Sequence, residues 1–255
     1  MKSIKLTIQY DGTEYAGWQV QPNEKTVQSV IEHSLRKIAP DSSSLLATGR
    51  TDAGVHALEQ ISCFKTTVKH SPDTIKKALN AQLPNDIVIL EANYCEPSFH
   101  PRYDALKKIY SYMICADQNI SPFLHRYVWN IHYRLDIPEM KKASSSLIGR
   151  HDFSSFQASG CAAKNPTREV MSISIKKKTT LPFMDYKIRG NFLTISVEAN
   201  AFLRHMVRNI VGTLVEVGRG RIKAGELKKI LASHDRTMSG PTAPPQGLFL
   251  HQVFY

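Results

Sequence analysis

No part of the sequence has the pattern of a membrane-spanning or secreted segment. None of its apolar runs reaches the roughly 18 residues that a transmembrane helix needs. Residues 1–5 (Met-Lys-Ser-Ile-Lys) lead directly into an alternating pattern, so no apolar signal segment is expected. These absences argue against an integral membrane protein and favour a cytoplasmic one.

The usual binding motifs of metals and cofactors are also missing. The four cysteines form no Cys-x-x-Cys pair, and the ten histidines show no ligand spacing such as His-x-x-x-His. The chain has neither a Gly-x-Gly-x-x-Gly loop nor a Walker loop. We therefore expect no metal, no cofactor and reduced cysteines. The cysteines are Cys63, Cys95, Cys115 and Cys161.

Positive charge is concentrated in the second part of the chain. Residues 1–100 contain 10 basic and 11 acidic side chains, whereas residues 101–255 contain 23 basic and 11 acidic ones, a net charge of +12. Such an excess is typical of a face that meets a polyanion, although a solubilising surface has the same composition. Composition alone does not distinguish RNA from DNA or acidic lipid.

Hydrophobic periodicity predicts a mixed α+β fold in two halves of similar size, 1–104 and 105–255. Each half should carry helices on one face of its sheet, with residues 94–104 as the joint. Strands are predicted at 3–10, 45–48, 57–66, 86–95, 107–115 and 248–254, and three more within 167–200, broken at 180–182 and 189–191. Helices are predicted at 26–38, 71–80, 137–148, 201–217 and 224–232.

The most informative segment is Gly49–Ala57 (GRTDAGVHA). In an extended chain Arg50 and Asp52 share one face, and the opposite charge favours an ionised carboxylate. Gly54 allows a positive φ, so the chain can turn sharply just after Asp52. In a cleft Asp52 would be a catalytic candidate, whereas on the surface it would be an ordinary turn residue.

Two further residues have both a structural and a functional interpretation. Arg208 flanks the apolar stripe of the helix predicted at 201–217, so its guanidinium could reach solvent or point into a cleft toward a carboxylate or phosphate. Tyr110 lies on a predicted strand just after Lys107 and Lys108. It could pack in the core or stack on a nucleic-acid base.

Taken together, several segments resemble the tRNA pseudouridine synthase A family. Each fragment is weakly specific, but they occur in the family's order from about residue 7 to the C-terminus, and the combination is very specific. The matching segments are Tyr10–Thr13, Gly17–Gln19, Gly49–Ala57, Phe99–Arg102, Tyr110–Tyr112, Gly149–Phe156, Phe202–Gly212, Ala243–Pro244 and Gly247–Leu248.

The resemblance implies a pseudouridine synthase fold with two pseudo-symmetric, α/β-sandwich-like halves and mostly antiparallel sheets. The first half, 1–104, would carry the catalytic loop, and the basic second half, 105–255, would complete the cleft and the RNA-binding surface. It also implies a homodimer that needs no cofactor. The expected activity is isomerisation of uridine to pseudouridine at positions 38, 39 and 40 of the tRNA anticodon stem-loop.

The resemblance also assigns roles to individual residues. Asp52 matches the catalytic nucleophile, Tyr110 the tyrosine that stacks on the target base, and Arg208 the basic partner of the aspartate. Leu248 matches an apolar residue that lines the pocket. Arg50, two residues before Asp52, is its local neighbour and is expected to bind the substrate. The chain departs from the family where Lys107 and Lys108 stand in place of an expected arginine. Other readings are a paralogue acting on other RNA uridines, or a non-catalytic RNA-binding module or tRNA chaperone.

Overall fold

The computed structural model describes residues 1–160 and 165–255, so Cys161 lies outside the described residues. Cys63, Cys95 and Cys115 are free thiols. Every helix in the described part of the chain is too short or too polar to cross a membrane. The predicted α+β class is confirmed, because helices and mostly antiparallel strands occur along the whole chain.

The chain forms two compact units. The first unit contains residues 1–108 and 249–255, and the second contains residues 109–248. The functional halves predicted from the sequence, 1–104 and 105–255, stay a prediction.

The first unit is a sheet with two helices. Its strands follow the order β4-β1-β3-β10, and β2 pairs with β3. Strand β1 is antiparallel to both of its neighbours, whereas β10 runs parallel to β3. The elements are β1 (Lys2–Tyr10), α1 (Val27–Ile38), β2 (Leu46–Ala47), β3 (His56–Thr66), α2 (Pro72–Asn80), β4 (Ile87–Cys95) and, at the C-terminus, β10 (Leu248–Phe254).

Local sequence explains these elements. In β1 the alternating residues Ile4, Leu6 and Ile8 are fully buried, as expected for a strand with one face on a core. Helix α1 begins after Thr26, whose side chain accepts the Ser29 N–H, and α2 begins after the capping residue Ser71 with proline in its first turn. Both starts agree with the predicted ones.

In the second unit the strands follow the order β5-β9-β8-β7, with β6 beside β5. Helix α3 packs against α4, and α4 is buried along almost its whole length. The elements are β5 (Lys107–Cys115), which begins at the end of the first unit, β6 (Trp129–Asn130), α3 (Ile137–Ser144), β7 (Gly149–Asp152), β8 (Thr167–Phe183), β9 (Tyr186–Ala199), α4 (Met206–Gly218) and α5 (Glu226–Ser233).

Two predictions for the second unit are wrong. Residues 167–199 form one long hairpin rather than three strands, because the chain reverses at Met184, where φ is +53°, and β8 continues through the predicted break at 180–182. At the second predicted break the pairing of the two strands shifts register near Gly190 and then continues. Helix α4 begins at Met206 rather than near residue 201, because His205 has a left-handed φ of +63°.

Candidate active site

The Asp52 loop joins β2 to β3 in the first unit and makes a tight turn. The Val55 N–H donates to the Asp52 carbonyl at 3.2 Å, and the Gly54 N–H donates to the Tyr15 carbonyl at 3.2 Å. Gly54 has φ +74°, the conformation that its sequence position suggested. Asp52 is half-buried and Arg50 is exposed. The turn therefore presents a carboxylate from a fixed backbone.

Two glycines of the N-terminal segment allow the chain to approach this loop closely. A Cβ atom on Gly12 would lie 2.0 Å from the Val55 carbonyl oxygen. A Cβ atom on Gly17, whose φ is +99°, would lie 2.7 Å from the Thr51 carbonyl oxygen and 3.1 Å from the Asp52 carbonyl carbon. These contacts give a physical reason for both glycines in the N-terminal motifs, since any side chain would displace the loop.

Buried polar side chains fix the loop from its other sides. The hydroxyls of Tyr10 and Thr51 are hydrogen-bonded at 2.7 Å, and Gln60 Nε2 donates to the Gly49 carbonyl at 2.9 Å. Burial raises the pKa of the Tyr10 hydroxyl above its ordinary value, so this group is neutral at physiological pH. The loop is thus held by neutral hydrogen bonds on both sides of Arg50.

Lys108 adds a buried cation to the base of the loop. Its ammonium donates to the Thr48 carbonyl at 2.6 Å, and the side chain is almost inaccessible. A Cβ atom on Gly49 would lie 3.7 Å from Lys108 Nζ. Lys107 and Lys108 stand where the family resemblance led us to expect an arginine, and in the structure the Lys108 ammonium donates to the protein backbone.

His56 is a residue of this region that the sequence interpretation missed. Its ring is buried at the start of β3, where Nδ1 accepts the Gly12 N–H at 3.0 Å. The ring also stacks on Phe249, with ring centroids 4.7 Å apart. His56 therefore ties the Gly12 segment to the strand that follows the Asp52 loop. The only sequence signal for this role was its place inside the Gly49–Ala57 motif.

The second unit carries Tyr110, Arg208 and Leu248. Tyr110 lies on β5 with little exposed surface, and its ring meets the edge of Phe202 with centroids 4.9 Å apart. Leu248 is buried at the start of β10. Both residues occupy regular strands, so their positions are set by the sheet rather than by a special turn.

Arg208 is fixed by the backbone of a segment that follows α5. Its Nε–H donates to the Ala243 carbonyl at 2.7 Å, and the Ala243 N–H donates back to the Arg208 carbonyl at 3.1 Å. A Cβ atom on Gly212 would lie 1.7 Å from the Pro241 carbonyl oxygen, so the segment crosses directly over the helix backbone. The bond to Ala243 shows that the guanidinium is held by the protein and does not simply extend into solvent.

Among the described residues, no group of three or more His, Cys, Asp or Glu side chains is placed to hold a metal ion. The predicted site residues fall in both units. Asp52 and Arg50 belong to the first, whereas Tyr110, Arg208 and Leu248 belong to the second.

Comparison with known proteins gives matches along the whole chain. A family model described as tRNA pseudouridine synthase matches residues 6–104 and 143–255. A tRNA pseudouridine synthase A of Thermoanaerobacter sp. (strain X514) is 45% identical over 255 residues, which cover 100% of both chains. The enzyme of the same name from Thermodesulfovibrio yellowstonii is 44% identical with the same coverage. The one from Myxococcus xanthus is 41% identical over 100% of this chain and 92% of its own. These matches confirm the resemblance that the motifs indicated.

Proposed function

The chain belongs to the tRNA pseudouridine synthase family, and from that premise we propose that Asp52 is the nucleophile that converts uridine to pseudouridine in tRNA. The proposed targets are positions 38, 39 and 40 of the anticodon stem-loop. The observation that carries the proposal is the Asp52 turn, because a half-buried carboxylate on a rigid, glycine-packed loop is preorganised to meet a substrate.

The reaction needs a nucleophile but no net change in atoms. The bond between uracil N1 and ribose C1′ breaks, the base rotates, and a bond forms between uracil C5 and C1′. The hydrogen on C5 is released to solvent and N1 gains a proton, so the product is an isomer of the substrate. A carboxylate can take part by attacking the ribose or the base, and only its ionised form is nucleophilic.

The other predicted residues receive roles that suit their chemistry. Tyr110 would stack on the target uracil after it leaves the helical stack, recovering part of an unstacking cost of a few kcal/mol. The Arg208 guanidinium would pair with the carboxylate and favour its ionised form. Leu248 would keep water away from the detached base, and the exposed Arg50 would contact the RNA backbone beside the loop.

The net charge of +12 in residues 101–255 suits a tRNA surface, which is a polyanion. We propose that the protein works as a homodimer in the cytoplasm, where unmodified tRNA is its substrate. Measurement of the molar mass in solution by sedimentation equilibrium tests the dimer directly.

The decisive experiment measures tritium release from tRNA labelled at C5 of uridine. The wild-type protein should release tritium, whereas Asp52→Asn should lose release by at least roughly 1,000-fold while still binding tRNA. Asp73→Asn, which changes an exposed carboxylate on α2, is the matched control and should be fully active. Near-wild-type release by Asp52→Asn would remove the nucleophile assignment. No release by the wild-type protein would favour the RNA-binding module instead.

Single-position substrates then test the predicted targets. Each of three tRNA transcripts would keep uridine at a different one of positions 38, 39 and 40 within the anticodon stem-loop. Release from each transcript would support the assignment, whereas release from none of them would point to a paralogue that acts on other RNA uridines.

A further inference from the structure

Arg236 is the centre of a hydrogen-bond network that the proposed chemistry does not use. Its Nη1 donates to Ser239 Oγ at 2.8 Å and to the Gly240 carbonyl at 3.0 Å. Its Nη2 donates to Asn209 Oδ1 at 3.1 Å and to Thr242 Oγ1 at 3.0 Å. One guanidinium therefore joins Asn209 on α4 to three atoms of the segment of residues 239–243, a fork geometry that only arginine provides.

The helix end of this network is rigid. Asn209 is fully buried, and its Nδ2 donates to the Phe156 carbonyl at 2.8 Å while its Oδ1 also accepts the Thr242 hydroxyl at 2.7 Å. One turn further along α4, Thr213 Oγ1 accepts the Gly240 N–H at 2.9 Å. The 239–243 segment is thus attached to two successive turns of the helix that carries Arg208.

The segment in turn holds Arg208. Its last residue, Ala243, accepts the Arg208 Nε–H at 2.7 Å and donates its own N–H to the Arg208 carbonyl at 3.1 Å. A shift of Ala243 would therefore rotate the Arg208 guanidinium. The contacts form one continuous path from Arg236 through the 239–243 segment to Nε of Arg208.

We propose that Arg236 is a positioning residue that sets the direction of the Arg208 guanidinium through the 239–243 segment. This inference rests on the proposed role of Arg208 as the partner of the catalytic carboxylate. Arg236→Lys keeps the positive charge but replaces the planar fork by a compact ammonium, which cannot reach Gly240 and Asn209 in the same geometry. Misplacement of a catalytic group by about 1 Å can cost up to roughly 100-fold in rate.

A double-mutant cycle in single-turnover tritium release separates positioning from general stability. Arg236→Lys should lower the rate constant roughly 10-fold, with tRNA affinity unchanged. Arg208→Lys, which removes the Nε–H bond to Ala243, should lower it by at least as much. In the Arg208→Lys background the Arg236→Lys change should then have less than about a 2-fold further effect, because its path to the active group is already broken.

Two further variants complete the test. Arg219→Lys changes another half-buried arginine of the second unit, which pairs with Glu216 at 2.9 Å, and it should leave the rate unchanged. Thr242→Val removes one hydroxyl of the network with little change in shape. It should lower the rate roughly 3-fold and show the same non-additivity, so it replaces Arg236→Lys if that variant fails to fold.

The outcomes distinguish the two levels of the proposal. If Arg208→Lys is slow but the two changes multiply in full, Arg236 affects the rate independently of Arg208, and the inference is overturned while the role of Arg208 stands. If Arg208→Lys has the wild-type rate, the proposed role of Arg208 fails and the inference fails with it.

Discussion

The two units hold their proposed site residues by different means. In the first unit Asp52 lies on an irregular loop, and the loop is fixed by direct backbone contact with Gly12 and Gly17 and by hydrogen bonds to its carbonyl groups. In the second unit Tyr110 and Arg208 lie on a regular strand and a regular helix. There the backbone is already in place, and what must be fixed is the direction of a long side chain.

This difference decides where each unit is vulnerable. A loop that depends on close backbone approach is disturbed by any added atom, so its weak points are glycines. A flexible side chain on a rigid helix is disturbed by loss of the acceptors that orient it, so its weak points are polar residues such as Arg236 and Asn209. A substitution can therefore displace the proposed site residues of one unit without displacing those of the other.

The largest effect is expected from glycine substitutions at backbone contacts. Gly12→Ala puts a methyl group 2.0 Å from the Val55 carbonyl oxygen, and Gly212→Ala puts one 1.7 Å from that of Pro241. Within a helix, Gly→Ala normally stabilises by up to about 1 kcal/mol, so destabilisation at Gly212 would show that the contact outweighs helix propensity. We expect both variants to lose more than about 3 kcal/mol of unfolding free energy, measured in urea.

Gly225→Ala is the matched control for both glycines, because a Cβ atom there would meet nothing within 4 Å. It should fold like the wild-type protein. Wild-type stability of Gly12→Ala would mean that the N-terminal segment can move away from the Asp52 loop, and the contrast between the units would lose its basis.

A smaller effect is expected at Lys108, the cation of the first unit. Lys108→Met keeps much of the buried volume but leaves the Thr48 carbonyl without this donor, which should cost about 1–3 kcal/mol of stability. Tritium release should fall roughly 10-fold, because the base of the Asp52 loop is no longer fixed by Lys108. Lys107→Met is the neighbouring control, since its ammonium lies over the Phe254 ring at 4.7 Å. Equal losses in both variants would contradict a specific role for Lys108.

The same contrast explains what the sequence predicted well. Local signals were sufficient where structure is decided locally, as in the Thr26 cap of α1, the Ser71 start of α2 and the turn at Gly54. Glycines and capping residues act on their own neighbours in the chain, so their effect can be inferred without a structure. The Asp52 turn was recognisable for this reason.

Contacts between distant parts of the chain could not be inferred in this way. The 167–199 segment contains Pro182 and Gly190, which normally interrupt strands, yet pairing along the hairpin keeps it continuous. Lys108 reaches a carbonyl 60 positions away, and Arg236 reaches Asn209 27 positions away. Neither residue differs in its local pattern from an ordinary surface cation, so only the folded chain reveals its role.

The smallest effect concerns acid stability and compares one aspartate in each unit. In the first unit, hydrogen bonds from Thr67 and Thr66 lower the pKa of Asp41 to about 2, from an ordinary value of 3.8. In the second unit, the Asn191 N–H chiefly lowers the pKa of Asp117 in the same direction. A depressed folded-state pKa stabilises the protein above the unfolded-state value, and this contribution disappears as the pH falls from about 3.8 through about 2.

Asp41→Asn and Asp117→Asn should therefore each be less stable than the wild-type protein at pH 6. The difference should shrink between pH 4 and pH 2 for Asp41→Asn, and for Asp117→Asn as the pH falls below the ordinary value of 3.8. Urea unfolding across this pH range measures both. A difference that stays constant down to pH 2 would show that the carboxylate charge does not matter at that position. If the stability difference shrank on acidification for Asp41→Asn but not for Asp117→Asn, the acid sensitivity of the fold would lie in the first unit. There the Asp41 carboxylate joins the end of β3 to the segment after α1.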